Sequence, residues 1–143
     1  YHVLLLLPVF LFSLVVILSY KRDLDILLVG EVHANAVGVD VAKVRKHLLL
    51  VTALLTGCSV SIAGGIGFVG LVVPHITRLL VGPHHRRLLP ITALLGATIL
   101  VLADLLIRGN ASYASIPLGV VTGTMGAPFF LFLLFKQRKV MQA

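Results

Sequence analysis

Charge is what this chain has least of. Only 12% of its 143 residues are charged, and only 5 are Asp or Glu, against about 25% charged residues in an ordinary soluble domain. Such poverty of charge excludes both a solvated disordered tail and a water-soluble globule. Tryptophan is absent and Cys58 is the single cysteine. One cysteine cannot close an internal bridge, which excludes a disulfide-stapled module and leaves the redox compartment open. What the chain has is apolar surface: 59% of residues are hydrophobic and mean hydropathy is +1.09. That balance is expected of an integral membrane protein. The net charge of +7 then marks cytoplasmic loops and calls for no nucleic acid.

The chain does not begin with Met, and an apolar run starts at once at Val3. The run has no basic n-region and no A-x-A-like cleavage site, so it is expected to be a cut through a longer protein and not a signal peptide.

A membrane-spanning helix needs about 20 mostly apolar residues. Val3 to Leu18 is uncharged and stops at Lys21 and Arg22. Leu48 to Thr77 also carries no charge, which is too long for one ordinary span and short for two. Charge placement decides between them. If Gly64, Gly65 and Gly67 break the run, Lys21, Arg22, Lys43, Arg45, Lys46, Arg78, Arg86, Arg87, Lys136, Arg138 and Lys139 all face one side, as the positive-inside bias requires, and only Arg108 lies opposite. The expected fold is therefore all-α, a polytopic bundle of five spans near 3–19, 48–63, 66–80, 88–107 and 117–135. The N-terminus is outside and the C-terminus cytoplasmic. The two middle helices, at 1.5 Å per residue, reach only about 24 Å of a ~30 Å core. Short, Gly- and Pro-interrupted helices of this kind, including Pro74 and His75, belong among other helices and not in lipid.

Small residues recur at helical spacing. Gly119 and Gly123 form a G-x-x-x-G row that Ala127 continues, and Ala93 and Ala97 form another. Such rows let backbones approach closely in lipid. Helices 66–80 and 117–135 are expected to line a pathway or a dimer interface, with Gly67, Gly70, Pro74, Gly119, Gly123 and Pro128 as packing or pathway positions.

Residues 20–47 form the one sizeable polar stretch. Asp25 is expected to cap a short helix running to Val29 and ended by Gly30, followed by a second turn from Glu31 to Val37 stopped by Gly38. Asp40 then caps the helix entering the next span. Two short helices around glycine hinges make either an amphipathic connector on anionic lipid or a docking knob for a cytoplasmic partner.

Catalytic chemistry has no support. The six histidines show no H-x-x-x-H pair with a nearby acid, and His84–His85 lie beside Arg86 and Arg87, so neither a metal site nor a cofactor is expected. There is no G-x-x-x-x-G-K-[ST] loop for ATP. Cys58 and the serines sit in apolar helices without a base.

The run from Gly64 through Phe68, Gly70, Pro74, His75 and Arg78, followed by Gly82-Pro-His-His-Arg-Arg-Leu-Leu-Pro90, resembles the signature of FecCD-type permeases. These are membrane subunits of ABC importers for iron-siderophores, haem and cobalamin. Leu102-Ala-Asp104-Leu-Leu-Ile-Arg108, Ile116-Pro117-Leu-Gly119 and Gly126-Ala-Pro128-Phe129 match as well, in order and along essentially the whole chain. Gly65 departs from the Pro or Ala that members often carry. The match is to the C-terminal half of the family's permeases.

The resemblance implies a transport subunit, not an enzyme, in the inner membrane. A separate cytoplasmic ATPase, a solute-binding protein, the other permease half and a second permease copy are its implied partners, beside membrane lipid. It implies that Gly30, Glu31, Ala34 and Gly38 belong to a coupling element inserted into the ATPase, a rigid part that passes nucleotide-driven motion to the membrane helices. It implies that Arg108 meets a carboxylate of the solute-binding protein. A local pair with Asp104 at i,i+4 is compatible with that role. A permease remnant acting as a non-transporting membrane scaffold is the alternative, and a haem-binding bundle a third reading.

Overall fold

The computed structural model describes residues 1–110, 112 and 115–141. Ala111, Tyr113, Ala114, Gln142 and Ala143 lie outside the described residues, so the uncharged stretch leading from Gly109 into the last span is described in part. Among the described residues seven helices follow one another: α1 (His2–Ser19), α2 (Lys21–Leu27), α3 (Glu31–Ala36), α4 (Val41–Ala63), α5 (Val69–Val81), α6 (His85–Arg108) and α7 (Leu118–Met141). There is no strand among the described residues.

α4, α6 and α7 are each long and apolar enough to cross a membrane, and α1 with α2 makes a fourth candidate if the pair, bent by 48°, counts as one span. The protein is an all-helical, multi-pass membrane protein. The expected shortness of the second span disappears, because α4 does not start at the apolar boundary. Asp40 accepts the Lys43 N–H at 3.1 Å and starts the helix at Val41, so its 23 residues reach about 35 Å. α5 stays short: its 13 residues rise only about 20 Å.

Two compact units divide the chain: Tyr1–Ala63 with Pro83–Pro90, and Gly64–Gly82 with Ile91–Ala143. In the first, α1 packs on α4. Val41, Val44, Leu48, Val51, Leu55 and Cys58 are the less exposed positions of α4, spaced as one helix face. On α1 the matching stripe runs Leu6, Val9, Ser13 and Ile17, with Ser13 fully buried. A small residue at the centre of the contact lets the two backbones close up.

In the second unit Val73 and Thr77 of α5, Ala103 and Ile107 of α6, and Thr122 of α7 are buried. Hydroxyls in these apolar helices turn back on their own backbone. Thr77 donates to the Val73 carbonyl at 2.8 Å, Thr98 to Leu94 at 2.8 Å and Thr122 to Leu118 at 3.1 Å, which satisfies these donors within their own helices; the buried hydroxyl of Thr92 has no such partner. Large apolar side chains such as Leu4, Leu50, Leu94, Leu106 and Phe132 are exposed, an arrangement suited to lipid or protein neighbours and not to water.

Candidate functional site

The polar stretch builds a small projecting element. Gly30, at φ 133°, precedes α3, and Gly38, at φ 90°, follows it. Both are backbone settings that a side chain resists; Gly38 follows the second short helix as its spacing predicts, while Gly30, expected to end the first at Val29, stands as the N-cap of α3 after α2 has ended at Leu27. Between them Ala34 is completely buried, and its carbonyl accepts the Val39 N–H at 2.9 Å. Glu31 pairs with Arg45 of α4. Val32 is 86% exposed, with Val29 and Val37 exposed too, and the polar Glu31, His33 and Asn35 share that outer surface. Gly30, Glu31, Ala34 and Gly38 thus belong to one short helical element that buries Ala34 and exposes Val32.

The helix before the knob departs from expectation. Asp25 caps no local helix; α2 already begins at Lys21, and Asp25 lies inside it. Its carboxylate instead accepts the backbone N–H of His85 at 2.6 Å and meets the His85 ring Nδ1 at 3.0 Å. Burial pushes the Asp25 carboxyl up, but the amide and ring of His85, with His84 nearby, outweigh it and hold the group below its ordinary 3.8. Both side chains are largely covered, His85 at 13% and Asp25 at 27% exposure. Sequence reasoning missed this pair; the one signal was a histidine opening a helix that has no acidic residue in its own first turn.

Arg108 ends α6 and pairs with Asp104 one turn earlier, Nε to carboxylate oxygens at 2.8 and 2.9 Å. The guanidinium side chain remains 76% exposed, so the local pair leaves its other donors free.

The glycine positions separate. A Cβ on Gly119 would fall on the carbonyl oxygen of Gly65, and one on Gly67 would stand 3.9 Å from the Gly119 oxygen and the Gly123 Cα. Gly67, Gly119 and Gly123 are therefore brought together where the 64–68 segment crosses α7. Gly70 has nothing near its Cβ position; it sits four residues before Pro74, whose ring displaces that carbonyl and removes its bond. Pro128 is exposed on α7. The tightest missed contact is Gly126, over which Phe68 lies. Phe68 holds φ 63° at the start of α5, a left-handed setting that costs about 1–2 kcal/mol. An apolar cleft of about 430 Å³ in this unit is lined by Phe68, Val72, Ile99, Leu102, Met125 and Phe129 among others, and none of its lining residues is an acid or a base.

Known proteins match this arrangement. The chain is 49% identical over 128 residues to the cobalamin import system permease protein BtuC of Halobacterium salinarum, covering 90% of this chain and 34% of that protein. It is 44% identical to the Fe(3+) dicitrate transport system permease protein FecD of Escherichia coli, covering 92% and 41%. It is 43% identical to the hemin transport system permease protein HmuU of Yersinia pestis, covering 85% and 36%. A solved structure described as an inward-facing conformation of an ABC transporter assigned to the metal-chelate type superposes with a TM-score of 0.86 at 38% identity, over 94% of this chain and 44% of that one. The chain thus spans less than half the length of the relatives it matches. The model of the FecCD transport family matches residues 1–136, and the chain belongs to that family.

Proposed function

We propose that this chain is the C-terminal half of the permease subunit of a binding-protein-dependent ABC importer for an iron-siderophore, haem or cobalamin-type chelate. It lies in the inner membrane as five spans, with α5 as the short third, and its C-terminus is cytoplasmic. A separate ATPase hydrolyses the nucleotide. The α3 knob receives the resulting motion, Arg108 meets the solute-binding protein on the far side, and α5 and α7 are elements of the pathway or of an interface with a second permease copy.

The observation that carries this reading is the knob itself. A six-residue helix is too short to be stable alone. Here it is clamped by a buried Ala34 and two positive-φ glycines, while Val32 stands almost wholly free. A clamped helix with an exposed apolar side chain is the build of a docking element.

Proteoliposomes holding the full-length permease with its ATPase test it. The substitution Val32→Asp is expected to abolish ATP-driven uptake and ATPase co-purification, with Val32→Leu retaining both. Full uptake by Val32→Asp overturns the coupling role. Absence of any uptake with the unaltered sequence favours a non-transporting scaffold.

A further inference from the structure

We infer that Asp25 and His85 form a latch that ties the coupling segment to the first turn of α6, making both of them positioning residues for ATP-driven transport; this rests on the permease reading above.

Helix α2 needs something to hold it. It has seven residues, about two turns, and isolated helices of that length do not persist. It is also turned 48° away from α1, so it does not simply extend a stable neighbour. Helix α6 has the complementary need. Its opening amides have no intrahelical partner, its first turn holds no acidic residue, and Arg86 and Arg87 add positive charge there. The Asp25 carboxylate answers both needs. One oxygen takes the His85 amide, so a carboxylate sits at the positive end of α6. The same oxygen meets the His85 ring, so backbone and side chain of one residue are gripped together.

Two charged ties leave the coupling segment, and they are unequal. Glu31–Arg45 has side chains 59% and 62% exposed and is screened by solvent. Asp25–His85 is largely covered, at 27% and 13%, and charge-assisted hydrogen bonds out of water are the stronger kind. From Asp25 the chain runs through α2 and Gly30 straight into α3, which packs on α2. A push on α3 that passes through this packing to α2 either carries the first turn of α6 with it or breaks both hydrogen bonds to Asp25.

The test uses the full-length permease with its ATPase in proteoliposomes and reads transport per ATP hydrolysed, a ratio that a merely structural role does not move. Asp25→Ala is expected to lower that ratio about fivefold or more in complexes that assemble normally. Asp25→Asn, whose side-chain oxygen still accepts from the His85 amide, is expected to regain it to within about twofold. An unchanged ratio in Asp25→Ala overturns the latch. Should Asp25→Ala fail to assemble, Asp25→Glu keeps the charge but displaces the acceptor by one methylene. A fall in its ratio upholds the latch and an unchanged ratio overturns it. Absence of ATP-driven uptake in the unaltered complex overturns the permease reading, an outcome distinct from a coupled wild type with a coupled Asp25→Ala.

Discussion

The carbonyl oxygen of Gly65 occupies the place where Gly119 would carry a side chain. Backbone cannot rotate aside as a side chain can, so Gly119→Ala must part the 64–68 segment from α7. The expected cost is about 1–3 kcal/mol, the usual range for overpacking. Gly123, one turn on, has open space at its Cβ position, and Gly123→Ala is expected to stay within about 0.5 kcal/mol. Thermal unfolding of the two variants in detergent checks the contrast; equal effects would contradict this contact.

Glu31 and Arg45 pair in the open. Removing the charge in Glu31→Gln is expected to change stability by less than about 1 kcal/mol, and by still less at high salt. Denaturation curves at two salt concentrations check this. A variant so mild in stability then isolates recognition: any loss of ATPase binding in Glu31→Gln is lost contact with the partner.

Asp25 sets an acid limit. Its carboxyl is held below the ordinary 3.8 in the folded chain, so the unfolded chain takes up its proton first as pH falls. The stabilisation is present above the unfolded value and is lost as pH drops through the lowered folded value. The advantage in thermal midpoint of the wild type over Asp25→Ala is therefore expected to shrink on acidification across that range. A gap that widens there would contradict the assigned direction.

Arg108 keeps most of its surface free despite Asp104. Asp104→Asn is expected to cost only about 0.3–0.5 kcal/mol, the worth of an exposed i,i+4 pair. Arg108→Glu, by contrast, is expected to slow association with the solute-binding protein, with the effect fading as salt rises. Stopped-flow association at low and high ionic strength separates the two.

Local rules were legible in the sequence and remote ones were not. The glycine break after Ala63, the Asp40 cap and the Gly38 stop all act within a few residues, and the structure has each of them. So does the Asp104–Arg108 pair. Asp25 misled because a cap is a local motif by spacing, while its real partner, His85, is brought to it only by tertiary folding. Helix α4 exceeds its uncharged run because the Asp40 cap starts it in the charged turn at Val41. Phe68 was invisible for another reason: nothing in its side chain announces a left-handed backbone, which is imposed from outside.

That imposition has a bearing on how the chain is made. The conformation that starts α5 is disfavoured by itself, and the surface that Phe68 lies on, the bare backbone of Gly126, belongs to the last helix of the chain. A ribosome delivers Phe68 long before Gly126, and segments settle in the order they emerge. The bend that starts α5 therefore has its packing partner only once α7 has been made.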